Sequence, residues 1–270
     1  MPESVVIELH ALNSGSLLNS NGLILHSAWF AALAQGSAEL VDRLHDQQVK
    51  PFTISPLMGL HADEKGICSF GAGQKAWFRV TILADELSES LAHWLESLGS
   101  GAILKLKETL WQVDRAAIHS DEHPWAGRMT YEHLMQVVQG SLVKGRWTLE
   151  FATPMTLNGS RFAYPFPQPE SLVRSWLERW QVFAPVFLTD ELPSQAREYL
   201  AVEDYRLHTE TVRMHGMRLP GCLGRITLRE RGMTPDMRLT LALLVEFAFF
   251  CGSGYKTTQG LGQTRVVRRE

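Results

Sequence analysis

A chain of 270 residues with 45% hydrophobic content suits one large domain or two small ones with a full core. No apolar run reaches the roughly 18 residues of a membrane span. The opening Met1-Pro2-Glu3-Ser4 lacks a signal peptide's basic region, and the widely spaced Cys68, Cys222 and Cys251 suggest neither a disulfide framework nor a zinc site, so the expectations are a cytoplasmic location, no membrane partner and no metal.

In chain order, Ser4 to Leu12 alternates as a strand, and Gly22 to Ala34 carries Leu25, Trp29 and Leu33 on one helical stripe. Gly36 and Ser37 interrupt it before a second short helix, Ala38 to Asp46. Pro51 and Pro56 hold Lys50 to Leu57 extended. Ala76 to Leu83 reads as a strand, Asp85 to Leu98 as a helix ended by Gly99, and Ala102 to Leu110 as another alternating strand. That order is β-α-β-β-α-β, a ferredoxin-like or RRM-like unit. A connecting stretch to residue 142 includes a short helix capped by Thr130.

The second half repeats the order. Arg146 to Thr153 is a strand, Glu170 to Phe183 and Ser194 to Leu200 are helices, and Val202 to Met214 alternates. Gly216 to Gly221 is expected to turn into a strand at Cys222 to Arg229, followed by a helix from Pro235 and a last strand from Gln263 to Arg268. The fold expected is therefore α+β, two tandem ferredoxin-like (RRM-like) domains at 1–142 and 143–270, meeting near Leu142-Val143.

The formal net charge of −3 conceals an asymmetry between these halves. Residues 1–142 hold 9 Lys+Arg against 16 Asp+Glu, a balance of −7, whereas 143–270 hold 17 against 13, a balance of +4. Six arginines (206, 213, 218, 225, 229, 231) crowd residues 206–231 against Glu210 and Glu230. A phosphate-binding face needs such charge; a solvated strand pair would also carry it. Arg206 and His208 share one strand parity and Arg213 and His215 the other, so the hairpin is not cationic on one face alone.

The chain's end carries two G-x-G pairs five residues apart: Gly252, Gly254, Gly260 and Gly262, around Lys256. Backbone without side chains, beside a lysine, fits an oxyanion-binding surface; it also fits a slack loop. Tyr255 between Gly254 and Lys256 excludes a Walker loop, and the helix-before-glycine order excludes a Rossmann turn.

With the doubled domain, this glycine spacing and the segment Leu44-His45-Asp46 leading to Lys50-Pro51-Phe52-Thr53, the chain resembles the CRISPR-associated endoribonucleases of the RAMP superfamily (Cas six) that cut precursor CRISPR RNA within its repeats. The likeness in domain order covers nearly the whole chain. Ser253 stands where the family more often has a hydrophobic residue.

The resemblance implies metal-independent cleavage by the RNA's own 2′-OH, leaving a 2′,3′-cyclic phosphate and a 5′-OH, with no cofactor. Such chemistry needs a proton acceptor, a proton donor and positive charge near the phosphorane. Histidine suits the first two roles and lysine the third. His45 is the first catalytic candidate, although a histidine ending a helix also simply favours the macrodipole. Lys50 is the candidate for phosphate stabilisation. Some family members pair the histidine with an upstream tyrosine; this chain has none before Tyr131, and His26 is the available substitute. The expected RNA contacts are Gly252, Gly254, Lys256, Gly260 and Gly262 with Arg213, Arg218, Arg225 and Arg229. The implied partner is CRISPR repeat RNA, stem-loop or single-stranded, with other CRISPR effector subunits as further partners. The rival reading is a non-catalytic RNA-binding subunit of the same superfamily. His119-Ser-Asp-Glu-His123 superficially resembles a metal cluster, but Pro124 follows and no second ligand group has matching spacing.

Overall fold

The computed structural model describes residues 1–140, 144–159 and 161–267. The expected domain junction at Leu142-Val143 and the expected end of the last strand at Arg268 lie outside them. Two compact units emerge. The first comprises Met1–Arg128 with the short segments Arg213–Met217 and Thr258–Gly260, and the second holds the remainder.

The first unit begins with β1 (Glu3–Ala11), β2 (Gly15–Leu18), α1 (Gly22–Gly36) and α2 (Ala38–Asp46). It continues through β3 (Phe52–Ile54), β4 (Ile67–Phe70), β5 (Lys75–Ile82), α3 (Ser88–Ser97), β6 (Ile103–Leu106), β7 (Thr109–Ala117) and β8 (Gly127–Arg128). Its sheet runs β3-β5-β1-β7-β6, with β8 also on β1 and β2 paired separately with β4. The four strands β3-β5-β1-β7 are those of a ferredoxin-like unit, β1 lying antiparallel to both β5 and β7.

Period-2 alternation puts Val5, Ile7, Leu9 and Ala11 of β1 in the same core as Leu25, Trp29 and Leu33 of α1. Trp29 meets Trp94 of α3 at 5.1 Å and Phe52 of β3 at 6.2 Å between ring centroids. These large apolar faces press both helices on one side of the sheet.

The second unit contains α4 (Tyr131–Gln139), β9 (Arg146–Met155), β10 (Leu157–Asn158), β11 (Ala163–Tyr164), α5 (Pro169–Phe183) and α6 (Leu192–Tyr199). It is completed by β12 (Leu200–Met214), β13 (Met217–Glu230), α7 (Pro235–Cys251) and β14 (Thr264–Val266), apart from the β12–β13 tip already assigned to the first unit. Strand order β12-β13-β9-β14 repeats the ferredoxin-like arrangement. Helix α4 falls here because Tyr131 packs edge-on against Trp180 at 5.3 Å and against Phe247 at 5.9 Å. Trp176 and Trp180 are fully buried, as their stripe on α5 predicts.

Two local expectations change. The single strand expected at Ala102 to Leu110 is a hairpin, because the chain turns at Lys107 with φ +55°. The two-residue turn pairs Leu106 with Thr109 on one face, so the buried parity switches across the bend; Leu106 is buried and Leu110, of the same parity, is 38% exposed. The turn expected at Gly216 to Gly221 contracts to His215-Gly216, both at positive φ, and β13 already starts at Met217. Among the described residues no helix is long and apolar enough to cross a membrane.

Candidate active site

Helical spacing sets the first pair of side chains. His26 and Phe30 are four residues apart on α1, so they share a face, and their ring centroids lie 4.7 Å apart. From the last turn of α2, the exposed His45 stacks on the same Phe30 at 4.7 Å and an interplanar angle of 23°. Two imidazoles therefore rest on one phenyl ring. Phe52, fully buried, supports it from below at 5.8 Å from both Phe30 and His26.

His26 is half-buried, and its Nδ1 lies 2.7 Å from the carbonyl oxygen of Thr258. A carbonyl only accepts, so Nδ1 carries the proton and Nε2 holds the lone pair of the neutral ring. Burial lowers the pKa of His26 below its ordinary value. The Thr258 carbonyl opposes that shift, while Lys50, His45 and His215 add to it. A desolvated imidazole among positive neighbours stays neutral. In that form Nε2 can accept a proton.

Helix α2 is anchored at both ends. The Ser37 hydroxyl accepts from the Leu40 amide at 3.2 Å, with Glu39 in the first turn. At the other end Lys50 Nζ donates to the carbonyls of Leu44, His45 (3.1 Å) and Gln47 (2.8 Å). An ammonium has three protons, and three carbonyls take them. Burial lowers the Lys50 pKa, against the pull of Asp46. In this arrangement Lys50 closes the end of the helix that carries His45, and its charge is directed at carbonyls.

The glycine segment is a built connection rather than an open cradle. Gly252, Gly254, Gly260 and Gly262 are all buried and all adopt positive φ. Three of their amides already have partners: Gly252 N–H donates to Ala248 O, Gly254 N–H to Ser175 Oγ, and Gly262 N–H to Pro154 O. Those three donors are therefore not presented to an incoming phosphate. Ser253, fully buried, accepts from Trp176 Nε1 at 2.9 Å and from Thr264 Oγ1 at 2.8 Å, which accounts for a hydroxyl at this position. Arg179 clamps the same segment through the Gly254 carbonyl at 2.8 Å. Lys256 adopts φ +57° and places Nζ 5.0 Å from the centre of the Tyr255 ring.

Within the first unit, Thr258 and Gln259 of a 3₁₀ turn lead into Gly260 beside the start of α1. A Cβ on Gly22 would lie 2.6 Å from the Gln259 carbonyl oxygen, so glycine there permits the close approach that brings Thr258 to His26.

The arginines divide by position. Arg213 and Arg218 are exposed on the β12–β13 hairpin. Arg225 pairs with Glu150 at 3.3 Å, and Glu150 also takes Arg265. Arg229 stands opposite Arg146 in the β13–β9 register, and Arg146 bonds Glu203 at 2.7 Å. Because Ile226 and Leu228 of β13 are buried, alternation places Arg225 and Arg229 on the other face of the sheet. Arg146 and Arg265, which sequence reasoning did not single out, complete that cationic face. The reading also passed over His215 as a site residue. It sits at the hairpin tip with φ +49°, its Nε2 3.3 Å from Gln259 Oε1. The only sequence signal was a His-Gly pair between two strands.

Among the described residues, no group of three or more His, Cys, Asp or Glu side chains is placed to hold a metal ion. Glu122 of the His119–His123 segment instead accepts the backbone amides of Ile118 and His119.

Residues 1–136 match the family description "CRISPR Cas6 N-terminal domain", and residues 149–264 match "CRISPR-associated endoribonuclease Cas6". The CRISPR-associated endoribonuclease Cas6 of Streptococcus thermophilus is 21% identical over 243 residues, spanning 88% of this chain and 89% of that protein. A product complex of Thermus thermophilus Cas6 is 28% identical with a TM-score of 0.82, covering 99% of this chain and 100% of the other. A product complex of another Cas6 is 26% identical with a TM-score of 0.79, covering 99% of each chain.

The loop geometry makes a stability prediction. Gly262 has φ +64°, and a Cβ there would lie 2.0 Å from the Ser253 carbonyl oxygen. Gly262→Ala should cost more than about 1 kcal/mol, read as a lowered urea midpoint at unchanged slope. Gly71→Ala, with nothing within 4 Å of the added carbon, should shift the midpoint far less. Equal shifts in the two variants would contradict the architectural reading of the glycine loop.

Proposed function

The chain belongs to the Cas6 family of CRISPR-associated endoribonucleases, and from that premise we propose that it cleaves precursor CRISPR RNA within its repeats by a metal-independent attack of the RNA's own 2′-OH. The observation that carries the mechanism is the pair of imidazoles on Phe30, one of them held neutral with its Nε2 lone pair available.

In this reading His26 Nε2 takes the 2′-OH proton as the O2′–P bond forms. His45 hands a proton to O5′ as the P–O5′ bond breaks. The products are a 2′,3′-cyclic phosphate and a 5′-OH. General acid and general base each contribute typically about 10²- to 10⁴-fold. Lys50 supports the reaction by holding the end of α2, and with it the backbone from which His45 projects.

The second unit binds the RNA together with Arg213 of the hairpin tip. Arg225, Arg229, Arg146 and Arg265 supply charge from the sheet, with Arg213 and Arg218 from the hairpin and Lys256 from the glycine loop. The exposed Arg225–Glu150 pair is of the weakly held kind, and a phosphate can take its place. We place the reaction in the cytoplasm, with delivery of the processed guide to other CRISPR effector subunits.

Two measurements test the site. His45→Ala should slow single-turnover cleavage of repeat RNA at least about tenfold while repeat binding survives; an unchanged rate would remove His45 from the mechanism. The pH profile tests His26. Its pKa is lowered from 6.5, by burial first and then by Lys50, His45 and His215. The base form persists down to that lowered value and is lost as pH falls through it. The acid limb of the single-turnover rate should therefore have its midpoint below 6.5, and should vanish in His26→Ala. A midpoint above the ordinary imidazole value would assign the base elsewhere.

A further inference from the structure

Phosphodiester cleavage places extra negative charge on the non-bridging oxygens of the phosphorane, and a donor aimed there is worth more than one that merely binds the ground state. Lysine was the expected source of that charge, but the three protons of Lys50 face the carbonyls of Leu44, His45 and Gln47. Another basic side chain of the first unit, His215, is held by the turn that engages His26.

The tip of the β12–β13 hairpin, Arg213–Met217, belongs to the first compact unit together with Thr258–Gly260. His215 Nε2 lies 3.3 Å from Gln259 Oε1, and the adjacent residue, Thr258, accepts from His26 Nδ1 at 2.7 Å. Consecutive Cα atoms are about 3.8 Å apart, so neighbouring residues of one turn hold both rings. The charge of His215 is also felt at His26.

Backbone geometry adds an independent indication. His215 and Gly216 form a two-residue loop with φ +49° and +76°. Such loops favour Asn-Gly or Gly-Gly, which reach the left-handed region at least cost. An imidazole in a left-handed conformation is the kind of strain that gathers at functional sites.

We propose that His215 is a further catalytic residue, whose imidazolium donates from Nδ1 to a non-bridging oxygen of the scissile phosphate and supplies the positive charge that Lys50 does not. The inference rests on the nuclease reading above. Gln259 Oε1 accepts the Nε2 proton, which leaves Nδ1–H as the donor to the phosphate. His26 and His45 keep the two proton transfers, so His215 exchanges no proton in the step. Its charge lowers the energy of the phosphorane.

The test uses His215→Gln in the full chain. The glutamine amide nitrogen stands at the reach of imidazole Nε2 and can still donate to Gln259, so a purely structural role of that contact is retained, while the Nδ1 donor and the ring's charge are lost. With protein saturating over repeat RNA, single-turnover cleavage should fall by about 10²-fold, the usual effect of losing one oxyanion donor. The second readout replaces each non-bridging oxygen of the scissile phosphate in turn by sulfur. One diastereomer should slow the wild-type protein, and that same substitution should slow His215→Gln little further. A wild-type rate in His215→Gln would overturn the proposal. So would a sulfur effect undiminished in the variant, because the lost contact would then not be to that oxygen. Failure of the wild-type protein to cut any repeat RNA would instead remove the nuclease reading beneath it.

Discussion

The hydrogen bond from His26 Nδ1 to the Thr258 carbonyl, at 2.7 Å, joins residues 232 positions apart in the chain. It decides which nitrogen of the ring is protonated, and therefore which one faces outward with a lone pair. A histidine on an amphipathic helix has no such preference by itself. Burial then disfavours the imidazolium, and the ring becomes a base of defined geometry. Much of the surrounding structure makes that contact possible: Gly22 clears space for the turn, Phe52 supports Phe30, and Phe30 brings His26 and His45 onto a common surface.

This gives the C-terminal glycines a role other than the cradle their spacing suggests. The amides of Gly252, Gly254 and Gly262 are engaged with Ala248, Ser175 and Pro154. Their left-handed conformations fold the chain tightly between α7 and β14. Thr258–Gly260 of this segment belong to the first unit.

Much of the architecture was readable before the structure was known, because it depends on short-range patterns. Leu25, Trp29 and Leu33 declare the buried face of α1, and Val5, Ile7 and Leu9 that of β1. The same patterning misled at Leu110, because the Lys107 turn switches the buried parity from one strand to the next. His26 and His45 could be proposed from residue type and the family segment, but their shared contact with Phe30 needs two helices to meet. The engagement of Lys50 with α2 depends on how the Pro51 segment folds back, and no spacing rule encodes it. His215 was least visible, since its partner Gln259 lies 44 residues away on another loop.

The central claim is a metal-independent transesterification, and the ends of the products report it directly. Purified protein incubated in EDTA with CRISPR repeat RNA from the same genome should yield a single cut. The upstream fragment should end in a 2′,3′-cyclic phosphate and the downstream fragment should begin with a 5′-OH. Cleavage that requires added Mg²⁺ and leaves a 5′-phosphate would contradict the account.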